Sequence, residues 1–393
     1  MTALKGIPSA PTARQMLPPF TAEHEELRES IRRFVVNELR PGADQWEEDR
    51  WFPDDVFTKL AAVGYLGLKY PVEYGGQGGD MLHDAVLIEE LSRAGSGGLA
   101  AGIGAHIGIA TPPIFKFGTE DQKQRYLVPA IAGEKIAALA ITEPDAGSDV
   151  AGIRTSAKKV DGGWIVNGSK MFITNGVRAD FLVTAVKTTT EGGHGGISFL
   201  IIDNGEGVTS SKIEKMGWHA SDTALISFDD VFVPDENLLG EVDKGFYLIM
   251  ANFQWERLVM ALGAVAAMQR LFEQTLQFAQ ERAAFGRPIA KFQVTRHKFA
   301  EMATTIEGGR ALTYHALRLH HLGLDCVQEV TMAKLATQRA AFDLADECLQ
   351  IHGGAGYMVE YGIERAARDL RLGPIGGGTD EIMKEILGKT MGL

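Results

Sequence analysis

The chain has 393 residues, with 39 basic against 51 acidic side chains and a formal net charge of −12. At about 150 residues per domain, that length holds two or three domains with room for a real core. A composition 45% hydrophobic and 23% charged excludes disorder and fibrous repeats, and the acidic balance, with no basic stripe, counts against a nucleic-acid partner.

In chain order, Met1 to Phe20 carries Lys5 and Arg14. It lacks both the amphipathic arginine-rich helix of a presequence and the apolar core of a signal peptide. A flexible tail on a cytoplasmic protein is expected, with the mitochondrial matrix as the weaker alternative. From Thr21 the period is helical: Leu27, Ile31, Phe34 and Val35 recur at three-to-four spacing, Thr21 is the N-cap and Pro41 closes the segment. Tyr70 to Gly79 is too glycine-rich for an element and reads as a loop, followed by a helix over Met81 to Arg93. The longest mildly apolar stretch, Gly97 to Ala110, is small-residue and contains His106, so no run approaches the roughly 18 residues of a membrane span.

Between Ile136 and Gly240 the period changes to two. Trp164–Val166 and Met171–Ile173 flank Asn167-Gly168, which predicts a hairpin turn, and Ile197–Ile202 and Leu225–Val233 read as further strands. From Lys244 the helical period returns over Phe246–Arg282, Val294–Leu322 and Cys326–Ile351, with a last helix starting near Thr379. The expected division is a helical domain over 20–135, a β-domain over 136–241 and a helical bundle over 242–393. Without strand-helix alternation, a doubly wound sheet is excluded.

The sequence has no GxGxxG after a strand, no Walker loop, no GxSxG and no HExxH. Two cysteines, Cys326 and Cys348, exclude a disulfide scaffold and point to a reducing compartment. The histidines are scattered, and neighbouring His320 and His321 diverge by about 100° on a helix, so no metal is expected. Charge placement is more informative. On the helix from Phe246, residues Phe246, Ile249, Met250, Phe253 and Met260 form an apolar stripe; Arg257 falls inside it and Glu256 at its margin. Two readings stay open from spacing alone: an interhelical ion pair, or a catalytic carboxylate in a cleft. Glycine, at 46 residues, is the compositional outlier. Two glycine-rich turns, Ile351–Tyr357 and Gly373–Glu381, place bare N–H groups at helix ends. There they serve as caps or as a cradle for an anion or carbonyl oxygen.

Four segments carry a resemblance: Ile141-Thr-Glu-Pro-Asp-Ala-Gly-Ser-Asp149, Asn167-Gly-Ser-Lys-Met-Phe-Ile-Thr-Asn175, Arg282-Ala-Ala-Phe-Gly-Arg-Pro288 and His352-Gly-Gly-Ala-Gly-Tyr357. In order, and over Phe20 to the C-terminus, the sequence resembles the acyl-CoA dehydrogenases. The resemblance implies an α+β multidomain fold: N-terminal helical domain, central β-barrel, C-terminal four-helix bundle. It implies FAD as cofactor, an acyl-CoA substrate, an electron-transfer flavoprotein as acceptor, and a homotetramer with no membrane span and no nucleic acid. It assigns Leu139, Ile141, Thr142, Gly147, Ser148, Phe172, Ile173 and Thr174 to the flavin half of FAD. Arg282, Phe285, Gln293, Gln350, Gly353 and Gly354 go to the pyrophosphate and adenosine half, reached from a neighbouring subunit, and Thr379 and Glu381 also touch FAD. Substrate would meet Ser148, Tyr247, Gln254, Arg257, Gly377 and Gly378.

In many members the base is a glutamate in a Tyr-Glu-Gly-Thr run. Here the run is Gly376-Gly377-Gly378-Thr379, so the position is Gly377, whose N–H can still donate to the enolate. The long-chain and isovaleryl branches instead carry the base in a Glu-Arg pair on the first bundle helix, which implies catalytic Glu256. The flanking residues lean to medium or long saturated chains in fatty acid β-oxidation. Branched isovaleryl- or citronellyl-type chains are the rival substrates, and a flavin monooxygenase or oxidase on the same fold is the rival class.

Overall fold

A computed structural model describes residues 18–189 and 195–393, so most of the expected N-terminal tail lies outside the described residues. The chain forms two compact units. One comprises Met81–Gly97, Arg257–Leu393 and the segment ending at Gly42; the other comprises Ala43–Asp80 and Gly98–Glu256.

The second unit is built on one sheet: β1 (Ala137–Ala140), β2 (Ser156–Val160), β3 (Gly163–Thr174), β4 (Phe181–Lys187), β5 (Ile197–Asp203), β6 (Val208–Lys212), β7 (Thr223–Pro234) and β8 (Leu238–Leu239). The strand order is β6-β7-β3-β2-β4-β5-β8, with β1 parallel to β4. β4 and β5 are buried on both faces. Val183, Ala185, Phe199 and Ile201 pack with Tyr126 and Phe181 on one side, and Leu182, Val186, Leu200 and Ile202 pack with Val166 and Ile226 on the other. Their sequences accordingly read as unbroken apolar runs.

Two expectations are corrected here. The sheet is open, not a closed barrel: β6 and β8 end the path without pairing with each other. Among the described residues β6 pairs only with β7, and β8 is two residues long and pairs only with β5. Nor is Asn167-Gly168 a hairpin turn. It lies within β3, at a register shift against β7 between Val166 and Gly168. The Asn167 side chain is satisfied across that bulge, donating to Asp230 Oδ1 and accepting from the Asp230 N–H, both at 2.9 Å. A side chain on Gly168 would meet Thr155 Cα at 2.6 Å, so the glycine serves close packing. The turn itself is Asp161-Gly162, set by the Val160–Gly163 pairing.

The run Gly97–Phe117 also differs from expectation. With a mean hydropathy of 1.3 over its best window it is long and apolar enough to cross a membrane, but 67% of that window is buried inside the fold, as in a core helix. At its centre is a π-helical turn, Ala105–Ala110, that holds His106 fully buried. The Ala137 N–H donates to His106 Nδ1 and Nε2–H donates to Ala130 O, each at 3.0 Å, which ties this helix to β1 and fixes the neutral tautomer. Burial pulls the imidazole from its ordinary 6.5 down to about 4. As pH falls from 6.5 toward 4 the unfolded chain takes up this proton and the folded chain does not, so stability is lost over that window by about 3 kcal/mol. Urea unfolding at neutral and acid pH should show that increment in the wild type and its absence in His106→Asn.

The first unit is helical. Ala22–Phe34 continues through a π-turn, Val35–Leu39, to a 3-10 turn at Arg40–Gly42; Pro41 changes the hydrogen-bond pattern there but does not close the segment as expected, because the helix Ala43–Asp49 follows directly. Arg28 and Arg32 pair with Glu89 and Glu90 of the helix Met81–Leu91, and the Tyr314 hydroxyl donates to Glu89 at 2.8 Å. Gln293–His321, Val327–His352 and Asp380–Thr390 match the expected runs to within one or two residues, as does Gly245–Glu281, which passes from one unit to the other. Both cysteines are buried and neither is in a disulfide.

Candidate active site

In the sheet unit, β1 runs out at Ile141 into the segment Thr142–Asp149. The Met171 N–H donates to Thr142 O at 2.8 Å and joins that segment to β3. Beneath this joint Lys170, fully buried, donates to Ile141 O at 2.9 Å and to Glu143 Oε1 at 2.8 Å. Glu143 also accepts the N–H groups of Arg154 and Thr155. A second register shift, between Lys170 and Ile173, leaves Met171 and Phe172 outside the ladder. Phe172 has φ +63° and is 60% exposed although both of those flanking side chains are buried. A left-handed phenylalanine costs about 1–2 kcal/mol and persists only where its surroundings impose it. The ring is therefore held out as a flat apolar platform beside Thr142 and Thr174. Leu139 is half-buried, Ile141 and Ile173 are buried in the core, and Gly147 and Ser148 are exposed.

On the helix Gly245–Glu281, Tyr247 is exposed, Gln254 and Glu256 are half-buried, and Glu256 Oε2 is shielded from solvent. The expected apolar stripe is borne out in part: Ile249 is buried, Phe246 and Phe253 are half-buried against the same core, Met260 is half-buried and Met250 is exposed. Leu248, Trp255 and Leu258 are buried as well, so burial extends beyond the stripe. Asn252 donates to Ile109 O at 3.2 Å and Lys69 to Ile107 O at 2.9 Å, both carbonyls of the π-turn, and the Lys69 ammonium lies 5.8 Å from the Trp255 ring centroid.

In the helical unit, Arg257 is buried and its Nε donates to Gly377 O at 3.4 Å. Gly377 and Gly378 have φ of +62° and +94°. Lys334, fully buried, donates to Gly378 O at 2.6 Å. Thr379 caps the last helix, its Oγ1 accepting the Ile382 N–H, and Arg339 pairs with Asp380 at 2.7 Å to fasten that helix to Val327–His352. Exposed Glu381 has its carboxyl held below the usual range by its own N–H and by Thr379. Lys170 and Lys334 were missed by sequence reasoning. Lys334 shares a buried stripe with Val330, Thr337 and Ala341, the signal that singled out Arg257.

Arg282, Phe285 and Gln293 lie around the hairpin formed by Ala283–Ala284 and Arg287–Pro288, with Phe285 at its tip, 95% exposed. Phe278, one turn before Arg282, stacks on His352 at 4.2 Å and so brings the Gln350–Gly354 turn to the same end of the unit. Arg282, Phe285, Gln293, Gln350, Gly353 and Gly354 are all exposed.

The sequence matches three family models: acyl-CoA dehydrogenase N-terminal domain over 21–134, middle domain over 138–231 and C-terminal domain over 243–392. The chain belongs to the acyl-CoA dehydrogenase family. Long-chain specific acyl-CoA dehydrogenase of Mus musculus is 40% identical over 375 residues, covering 94% of this chain and 86% of the relative. Isovaleryl-CoA dehydrogenase of Solanum tuberosum is 37% identical, covering 95% and 91%. The crystal structure of an acyl-CoA dehydrogenase from Geobacillus kaustophilus superposes with a TM-score of 0.94 at 41% identity, covering 96% and 100%.

This acyl-CoA dehydrogenase is a flavoprotein oxidoreductase with FAD as its cofactor, and its residues fit that group. The displayed Phe172 ring suits a flat isoalloxazine. The Thr142, Ser148 and Thr174 hydroxyls suit its polar edge, and a Cβ on Gly147 would touch only Thr142 Cγ2, at 4.0 Å. Arg282 and the bare backbone of Gly353 and Gly354 suit a pyrophosphate.

Proposed function

We propose that the enzyme converts medium- to long-chain saturated acyl-CoA to the trans-2-enoyl-CoA, with Glu256 taking the α-proton. The observation that carries this reading is a half-buried Glu256 whose Oε2 is shielded from water, in a sequence that has a bare Gly377 where family members commonly hold glutamate. An α-proton of a thioester is far less acidic than a carboxylic acid, so the base needs a donor that stabilises the enolate as it forms. Among the described residues the Gly377 N–H makes no backbone hydrogen bond, which suits it to that task. Arg257 stays protonated and orients the turn through Gly377 O. Tyr247, Gln254, Ser148 and Gly378 complete the substrate contacts. FAD supplies the acceptor for the β-hydrogen, and the electrons leave to an electron-transfer flavoprotein.

The exposed Arg282, Phe285, Gln293, Gln350, Gly353 and Gly354 support a homotetramer in which they reach a neighbour's FAD; the bacterial acyl-CoA dehydrogenase relative supports a cytoplasmic enzyme, and the long-chain relative a role in fatty acid β-oxidation. The preference for longer chains is supported by the 40% identity to the long-chain specific relative. Anaerobic titration with butyryl-, octanoyl-, palmitoyl- and isovaleryl-CoA tests the reading through bleaching of the flavin. Octanoyl or palmitoyl should bleach at the lowest concentration; preference for isovaleryl would move the enzyme to the branched-chain class, and rapid oxygen consumption to the oxidases.

A further inference from the structure

We infer that Lys334 is a positioning residue, one half of a two-cation clamp that, with Arg257, aims the Gly377 N–H at the thioester oxygen. The inference rests on the donor role proposed for Gly377. A fully buried ammonium is costly unless its donors are used, and Lys334 places one on Gly378 O at 2.6 Å. Arg257 takes the preceding carbonyl, Gly377 O, at 3.4 Å. Two adjacent carbonyls, on two adjacent left-handed glycines, are thus each held by a cation from a different helix.

Such a turn needs outside support. Gly377 and Gly378 have no side chains to restrict φ and ψ, and glycine is the residue whose backbone wanders most freely. On the N-terminal side the chain is anchored where the Gly376 N–H donates to Leu372 O at 2.9 Å; on the C-terminal side Thr379 begins the last helix. The Gly377 N–H shares a peptide plane with the Gly376 carbonyl and lies between the Gly376 N–H anchor on one side and the clamped Gly377 carbonyl on the other, so fixing both flanks limits the φ and ψ rotations of Gly376 and Gly377 that would turn it away. In a member with glutamate at this position a side chain could steady the loop. Here the cations do so.

The test reads the carbonyl directly. FAD-loaded enzyme is mixed with enoyl-CoA carrying carbon-13 at C1, and the thioester C=O stretch is followed by isotope-edited infrared difference spectroscopy. The wild type should lower that frequency on binding. Lys334→Met should lose about half or more of the shift and slow flavin reduction by about 10- to 100-fold, less than loss of a whole oxyanion donor, with KM little changed. Lys334→Arg should restore most of both. A full wild-type shift in Lys334→Met overturns the clamp. No shift in the wild type overturns the Gly377 donor reading instead, and the clamp with it. If Lys334→Met does not retain FAD, Arg257→Gln removes the other arm and is read the same way, an unchanged shift again overturning the proposal.

Discussion

Glu256→Gln is expected to bind FAD normally and to lose about 10²- to 10⁴-fold in the rate of flavin reduction by acyl-CoA, the range a positioned general base supplies. The amide keeps the size of the carboxylate but cannot accept the α-proton. Enolate donors elsewhere in the site remain in place, so binding of enoyl-CoA should change little and the loss should fall on the reduction step. The competing reading, a structural ion pair made by Glu256, has the opposite signature: a lowered unfolding midpoint with reduction rates close to wild type. Stopped-flow anaerobic reduction and urea unfolding of the same preparation therefore separate the two. Normal bleaching in Glu256→Gln would sink the base assignment.

The parts of this picture that sequence discloses are those encoded locally. Helical zones keep their 3.6-residue period through long elements, so Phe246–Arg282, Val294–Leu322 and Cys326–Ile351 are legible to within one or two residues. Glu256 and Arg257 stand out as charges in an apolar run, and Arg257 is buried where the stripe places it, although burial on this helix extends beyond the stripe to Leu248, Trp255 and Leu258. Non-local pairing defeats the same reasoning. Asn167-Gly168 has the composition of a turn, but β3 is held by β2 on one side and β7 on the other, and the ladder overrides the dipeptide. Whether the sheet closes depends on edges β6 and β8, which no local pattern relates. Lys170 and Glu143 are 27 residues apart, and their partnership is visible only once β3 and the segment after β1 are side by side.

That partnership carries the second large expected effect. Lys170→Met should destabilise the protein by about 3 kcal/mol or more, since removing one partner leaves a buried charge without its counterion. Burial pulls Lys170 down to about 8, and the Glu143 carboxylate beside it works against that by favouring the ammonium. Glu143 is pushed upward by burial, but Lys170 and the Thr155 and Arg154 N–H groups outweigh that and hold it below the usual carboxylate range. With the ammonium gone, Ile141 O loses a donor as well, and the segment leading to Thr142 loses its anchor under the Phe172 platform. FAD content per chain should fall together with the unfolding midpoint. The double variant Lys170→Met with Glu143→Gln should recover part of both: no ion is left uncompensated, but the single amide oxygen can accept only one of the Arg154 and Thr155 N–H groups, which go to different oxygens of the Glu143 carboxylate. Equal stability of Lys170→Met and wild type, within about 0.5 kcal/mol, would show that the pair does not hold the flavin segment. Recovery of stability in the double variant without recovery of FAD would show that the pair's charge, and not only its packing, is needed for cofactor retention.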